Sequence, residues 1–278
     1  MKTEESKPEK NKICIFTSGL DQLNFDYAKK MLNSLVKTNP DINKVADVIC
    51  FTQQDFLALG GDQLSMRYLT PFFAKGLISQ YETVVRLDAD MIITGDISHV
   101  WEGDFDVAVV QNANPREIVA QQQTMGRVVN VWDIKPEDYV NCGFVVMKSK
   151  EFVDHWIRLC TPERQQYQFY EQDFLNILCF YGNYKVRFLD KEENNKWHNL
   201  ISKGYWSEVI IKDKKLVLPK GSGTEQDTWP EDGHDKELVA LHFAGGSLPN
   251  KFDHLDTQFQ PEVVKYLKFL ISPTEDIK

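Results

Sequence analysis

The chain has 278 residues, of which 42% are hydrophobic, and a formal charge of −9 at pH 7. That length and apolar share suffice for a substantial core, and the acidic balance excludes a nucleic-acid backbone as partner, since that role calls for a basic stripe. No apolar run approaches the roughly 18 residues of a membrane span, so no transmembrane segment is expected.

Residues 1–11 are polar and charged, without the apolar stretch of a signal peptide, and read as a disordered lead-in to one domain over 12–278. Ile13–Thr17 is the first expected strand, followed by the turn Thr17-Ser18-Gly19. Phe25 to Val36 then places Tyr27, Met31, Leu32 and Leu35 on one helical stripe. Val45–Phe51 reads as a strand, and Phe72 to Ile78, after Pro71, as a short helix. Thr83–Leu87 is a strand that stops at Asp88-Ala89-Asp90 before Met91-Ile92-Ile93 resumes the apolar run. Val107–Gln111 and Phe144–Lys148 follow as strands, with Asn141-Cys142-Gly143 as the entry turn of the second. Ser149 is the expected N-cap of a helix carrying Phe152, Trp156 and Leu159. Glu171 to Tyr181 carries Phe174, Leu175 and Leu178 likewise, and Lys185–Leu189 and Leu238–Phe243 close the series. This alternation predicts an α/β fold with a largely parallel, helix-covered sheet.

Two stretches, 112–140 and 194–237, lack such periodicity and are expected to be long loops. The second holds Trp197, Tyr205, Trp206 and Trp229, whose broad faces suit either sugar rings or a lid over the core. The five cysteines sit in apolar settings, such as Ile13-Cys14-Ile15, and the chain has no Cys-x-x-Cys and no Asn-x-Ser/Thr sequon. Buried free thiols in a reducing, cytoplasmic setting are the expectation.

Two carboxylates one residue apart, at the carboxyl end of an apolar strand, can turn toward one ion. Ligands of open α/β sheets collect at that end. Hard divalent cations take carboxylate oxygens and keep positions open for phosphates. Asp88 and Asp90 therefore suggest metal-assisted chemistry on a nucleotide diphosphate. The other such triplet, Asp104-Phe105-Asp106, precedes the run Val107 to Val110 and reads as a solvated strand entrance. His242-Phe243-Ala244-Gly245-Gly246 ends the last strand, while Glu171-Gln172-Asp173 opens a helix, whose amino end favours anions and polar groups. Each of these also has a plain structural reading, as a turn, an acidic first turn or a core histidine. His198, His234 and His254 show no metal-like spacing.

In this order the patches resemble the retaining GT-A glycosyltransferases of family eight. The resemblance spans about Lys12 to Lys251. It rests on Arg67 upstream of Leu87-Asp88-Ala89-Asp90, then Gly95-Asp96-Ile97 and Trp101. Val140-Asn141-Cys142-Gly143-Phe144, Glu171-Gln172-Asp173-Phe174-Leu175-Asn176 and Leu241-His242-Phe243-Ala244-Gly245 complete it. It implies a GT-A fold, a Rossmann-like mixed sheet flanked by helices. It also implies a metal-dependent hexosyltransferase taking a nucleotide-diphosphate sugar, UDP-linked, and a glycan or other hydroxyl acceptor bound by the loops of 112–140 and 194–237.

Under that resemblance Asp88, Asp90 and His242 hold Mn2+ or Mg2+, the imidazole tilting the preference to Mn2+. Thr17 and Ser18 meet base and ribose, Arg67 and Lys251 lie near the phosphates or donor sugar, and Ala89, Gly143 and Gly245 line the donor site. Asn141 and Asp173 bond sugar hydroxyls, and Gln172 lies beside the anomeric carbon. Since an amide is a poor nucleophile, front-face displacement with retention is expected, with double displacement through Asp173 or Glu171 as the alternative. The chain departs from the family at Glu171, which replaces an aspartate, and at Arg86, where many relatives carry tyrosine. It departs again at Gly246-Ser247-Leu248-Pro249-Asn250-Lys251, where Lys-Pro-Trp is usual. A haloacid-dehalogenase-like phosphatase and a catalytically idle sugar-nucleotide-binding domain are the open alternatives, although the phosphatase motif usually lies nearer the start of its domain.

Overall fold

In a strand, successive side chains point to opposite faces, and here both faces are buried. Cys14 and Phe16 enter one apolar cluster and Ile15 another; Val107 and Val109 join the first, Ala108 and Val110 the second. The computed structural model describes residues 11–111, 134, 138–164, 170–193, 195–199, 203–222, 234–244 and 251–274. The expected lead-in lies outside them apart from Asn11, whose side chain bonds Asp47 at 2.9 Å. Most of the 112–140 loop lies outside them too.

The first strands are β1 (Ile13–Gly19), β2 (Ala46–Thr52), β3 (Thr83–Leu87), β4 (Met91–Ile93), β5 (Val107–Gln111), β6 (Val140–Met147) and β7 (Val186–Phe188). All but β4 form a six-stranded sheet in the order β2-β1-β3-β6-β5-β7. Helices Leu69–Leu77, Lys150–Leu159 and Glu171–Tyr181 cover one face through Phe73, Trp156 and Leu175. Helix Gln22–Thr38 covers the other through Met31 and Leu35.

β1 runs parallel to β2 and β3, and β5 to β7, but β6 is antiparallel to both β3 and β5. The sheet is thus mixed, as the resemblance implies, and not largely parallel as the alternation alone predicts. Apolar patterning reports burial and carries no information on strand direction. Asn141-Cys142-Gly143, expected as an entry turn, lies inside β6. A register shift between Val109 and Val110 accommodates it opposite β5, as a bulge does.

The expected loop over 194–237 contains a second sheet. β8 (Lys196–Trp197), β9 (Ile210–Lys212), β10 (Lys215–Leu218) and β11 (Lys236–Leu238) pair in the order β8-β11-β10-β9. β9 and β10 form a hairpin whose turn residues Asp213 and Lys214 have φ of 50° and 64°. Both lie in the left-handed region that a type I′ turn demands, but neither is the glycine that usually signals it. Trp197 and the fully buried Trp206 belong to the cluster beneath this sheet, Trp206 lying 4.6 Å from Phe243 and 5.2 Å from Phe259 between ring centroids. They are core residues, not platforms for a sugar. Trp229 and the Tyr205 side chain lie outside the described residues.

The expected last strand breaks at Val239, and its second part, β12 (Ala240–His242), leaves for a separate ladder. It pairs antiparallel with β4, setting Ala240 against Ile93, Leu241 against Ile92 and His242 against Met91. Among the described residues no helix is long and apolar enough to cross a membrane.

Candidate active site

Main-chain bonds assemble the site. Past the end of β3, the Asp88 N–H donates to the Gly143 carbonyl at 2.8 Å, which holds Asp88 against β6. The Phe243 N–H donates to the Asp90 carbonyl at 3.0 Å, continuing the β4–β12 ladder. His242 Nε2 consequently stands 3.5 Å from Asp88 Oδ2 and 3.2 Å from Asp90 Oδ1. The imidazole is nearly sealed, at 3% exposure, while Asp88 and Asp90 keep 27% and 17%. One ligand atom from each of the three lies within 4.8 Å of the others. Two carboxylates and an imidazole, converging on an edge open to solvent, fit a divalent cation of the Mn2+ or Mg2+ type.

Gly143 makes that convergence possible. A Cβ there would stand 2.5 Å from His242 Cε1, 2.7 Å from Asp88 Oδ2 and 2.8 Å from Asn141 Oδ1. Any other residue would push the ring and the carboxylate apart.

Charge is balanced locally. Arg86 donates to Asp88 Oδ1 at 2.7 Å and to the Leu87 carbonyl at 2.9 Å, and Lys251 forms an ion pair with Asp90. Burial opposes the charge on His242, but Asp90 and then Asp88 outweigh it and lift its pKa to about 9. Burial also works against both carboxylates. Arg86 and His242 nonetheless hold Asp88 below the usual range, as His242 and Lys251 do for Asp90. On the far side of the ring His242 Nδ1 meets Asn199 Oδ1 at 3.0 Å. With that oxygen as acceptor Nδ1 donates, and Nε2 is left facing the carboxylates, the arrangement that orients metal-binding imidazoles.

The carboxylates open onto a cleft of about 270 Å³, lined also by Ser18, Asp21, Asn24, Met66, Leu69, Arg86 and Ala89. Asp21 caps the Gln22–Thr38 helix, accepting from the Asn24 N–H at 2.8 Å.

Beside the cluster lies a second polar group. Asn141 Oδ1 accepts from the Gly143 N–H at 2.8 Å, while its Nδ2 donates to Gln172 Oε1 at 3.0 Å. The Cys142 N–H donates to the same Gln172 oxygen at 3.0 Å. Asn176 fastens this helix to β6, exchanging bonds of 2.8 and 2.9 Å with the Val140 backbone. Asp173, 1% exposed, accepts from the Tyr139 hydroxyl at 2.6 Å. Glu171 turns away and accepts from Thr70 N at 2.9 Å and Thr70 Oγ1 at 3.2 Å. It thereby caps the Leu69–Leu77 helix, whose N-cap Tyr68 makes no side-chain cap bond. Burial pushes the Glu171 carboxyl up to about 7, against the opposing pull of Thr70 and Arg86.

Of the residues expected from sequence, Asp88, Asp90, His242 and Lys251 meet in one cluster, with Ser18 and Ala89 on the cleft wall. Asn141, Gly143 and Gln172 adjoin it. Thr17 is fully buried, with Arg86 Nη1 3.5 Å from its Oγ1, and so backs the guanidinium rather than lining the cleft. Arg67 lies over the Tyr170 ring, 4.5 Å from its centroid. Gly245 lies outside the described residues. Sequence reasoning missed Asn199, Asp21 and Asn24. Asp21 was readable, as an aspartate just before a helical stripe; Asn199 carried no local signal.

The profile of Glycosyl transferase family 8 matches residues 3–249. No curated protein matches the sequence. Among solved structures the fold is similar to the bifunctional glycosyltransferase WbbM in its apo form, at a TM-score of 0.58 and 14% identity, over 96% of this chain and 53% of that one. It is also similar to the galactosyltransferase LgtC in complex with donor and acceptor sugar analogues, at 0.54 and 16%, over 95% and 98%. A glutamine-to-glutamate active-site mutant of LgtC gives 0.52 and 14%, over 91% and 99%. The chain thus spans about half the length of WbbM and nearly all of LgtC. At these identities the likeness shows the GT-A fold.

Proposed function

The chain belongs to glycosyl transferase family 8 and is a glycosyltransferase, and from that premise we propose that it moves a hexose from a UDP-linked sugar to a hydroxyl of a glycan acceptor, with Mn2+ held by Asp88, Asp90 and His242. The observation that carries this reading is the meeting of those three side chains, with Asp88 and Asp90 on the wall of a cleft and Asn141 and Gln172 bonded to each other nearby. Family membership displaces the phosphatase alternative.

When bound, the cation supplies charge neutralisation and orientation for the leaving diphosphate. The chain's own groups do the rest. Lys251, paired with Asp90, and Arg86, paired with Asp88, are the cations that would face the diphosphate. Ser18, Asp21 and Asn24 offer hydrogen bonds to the nucleoside from the cleft wall. Asn141 and Gln172, bonded to each other beside the metal cluster, are the amides assigned to the sugar. Gln172 Oε1 already accepts two hydrogen bonds, Asp173 is buried against Tyr139, and Glu171 is spent on Thr70. None of these offers a ready nucleophile to the cleft, which supports front-face displacement with retention over a glycosyl-enzyme intermediate. In that route the departing phosphate oxygen takes the acceptor's proton. The five cysteines, none of them in a disulfide, support a reducing compartment.

The experiment is a panel of nucleotide-diphosphate sugars, with and without Mn2+, in which donor hydrolysis and product anomers are read by NMR. The expected result is Mn2+-dependent cleavage of a UDP-sugar with retained configuration. Metal-independent turnover or an inverted product would overturn the respective part of the reading.

A linked expectation concerns pH. His242 carries a proton below about 9 in the ion-free protein, and a ligand nitrogen must lose it. Mn2+ uptake at pH 7.5 should therefore release about one proton, and affinity should rise about tenfold per pH unit until it levels near 9. Calorimetry in buffers of different ionisation heat reads this directly, and heats independent of buffer would contradict it. In the ion-free protein the sign runs the other way. The raised pKa stabilises the fold fully below the ordinary value of 6.5, and that contribution is lost as pH climbs through about 9.

A further inference from the structure

Behind the site, a second group of ligating side chains converges that the transfer reaction does not use. His99 lies in the connection between β4 and β5, Glu193 just after the short helix Leu189–Glu192, and His198 just after β8. His99 Nε2 stands 2.9 Å from His198 Nε2 and 3.2 Å from Glu193 Oε1. One ligand atom from each of the three lies within 4.8 Å of the others. The geometry points to a Zn2+ site formed by His99, Glu193 and His198, separate from the Asp88–Asp90–His242 cluster.

Three observations support it. First, the spacing fits, because ligands about 2.0–2.1 Å from zinc stand about 3.3 Å apart in a tetrahedron. Second, His198 is pre-set as a ligand. Its backbone N–H and its Nδ1 both meet Asp190 Oδ1 at 2.8 Å, so Nδ1 donates and Nε2 turns its lone pair toward His99. A carboxylate behind the ring is the usual support of a zinc-bound imidazole. Third, the charge suits a dication. Asp96, Asp190, Glu192 and Glu193 supply four negative charges around the imidazoles, against two positive charges from Arg187 and Lys196. Two negative charges remain. The donor set is also richer in nitrogen than the first cluster, which favours zinc over the harder Mn2+ and Mg2+.

A zinc ion there would tie the β4–β5 connection to the segment that carries His198 and, next to it, Asn199, the residue bonded to His242. Its role is structural, holding that segment behind the active-site imidazole.

The test uses the full chain carrying Asp88→Asn and Asp90→Asn, so that the first cluster is silenced, stripped of metal and titrated with Zn2+ against a chromogenic chelator. One Zn2+ per chain is expected, with a rise in melting temperature on binding. Adding His99→Ala should weaken binding by roughly a hundredfold, through loss of one of three protein ligands. Asp190→Asn, which keeps all three ligands, should weaken it about tenfold. Glu193→Gln serves as the second ligand variant should His99→Ala not fold. Co2+ in place of Zn2+ should give the visible absorption of a four-coordinate site. Absence of stoichiometric Zn2+ in the Asp88→Asn/Asp90→Asn chain would overturn the inference, as would affinity unchanged by the ligand substitutions.

Discussion

Asp90→Ala is expected to lower turnover by about a thousandfold or more while the chain still folds. The carboxylate stands 3.2 Å from His242 Nε2 on one oxygen and pairs with Lys251 on the other, so it is central to the cluster's charge. A thousandfold corresponds to about 4 kcal/mol of transition-state stabilisation, a reasonable share for a ligand of a charge-neutralising metal. The fold should survive because the structural bond at this residue is main-chain, from the Phe243 N–H to the Asp90 carbonyl, and alanine keeps it. Loss of Asp90 removes the first of the two charges that raise the His242 pKa, which should then fall from about 9. Steady-state kinetics, a thermal melt and an NMR titration of His242 check the three parts together. A folded Asp90→Ala chain with near-normal turnover would remove the metal cluster from the chemistry.

Gly143→Ala should be nearly as damaging, through geometry rather than charge. The added methyl would meet His242 Cε1 at 2.5 Å and Asp88 Oδ2 at 2.7 Å. Neither neighbour yields freely, since the ring is fixed by Asn199 and the carboxylate by Arg86. Overpacking of this type costs about 1–3 kcal/mol, and the ligand atoms must separate to relieve it. We therefore expect a lower melting temperature and a loss of Mn2+ affinity of about a hundredfold or more. Gly76→Ala is the control. Gly76 lies in the Leu69–Leu77 helix, and a Cβ there meets nothing within 4 Å. Alanine at that position should be neutral or stabilise by about 0.5–1 kcal/mol. Equal effects at the two glycines would show that the close approach at Gly143 is unimportant.

Much of this is legible in the sequence. The strand that stops at Asp88, the Glu171–Tyr181 helix and the Ser149 cap follow from local periodicity and capping chemistry, and they stand as expected. His242 was placed with the carboxylates only by the order of the family's motifs. Its approach depends on the β4–β12 ladder, a pairing between distant segments that no local pattern encodes. Strand direction was hidden for a similar reason: β6 is apolar on both faces whichever way it runs. The hairpin at Asp213 and Lys214 carries no turn signal in the sequence because its turn lacks glycine. His198 has no ligand spacing to another histidine in sequence, and only the chain's path brings its nitrogen to that of His99. Trp206 shows the converse. An aromatic in an irregular stretch suggests a ligand surface, whereas here it fills the space between Phe243 and Phe259.

The central claim is that the imidazole of His242 shares one cation with Asp88 and Asp90. Pulsed electron paramagnetic resonance of the chain loaded with one equivalent of Mn2+ and UDP reads it most directly. The account predicts nitrogen modulation from a single imidazole, together with phosphorus coupling from the diphosphate, and loss of the nitrogen signal in His242→Gln. A nitrogen signal that persists in His242→Gln, or none in the unaltered chain, would contradict it.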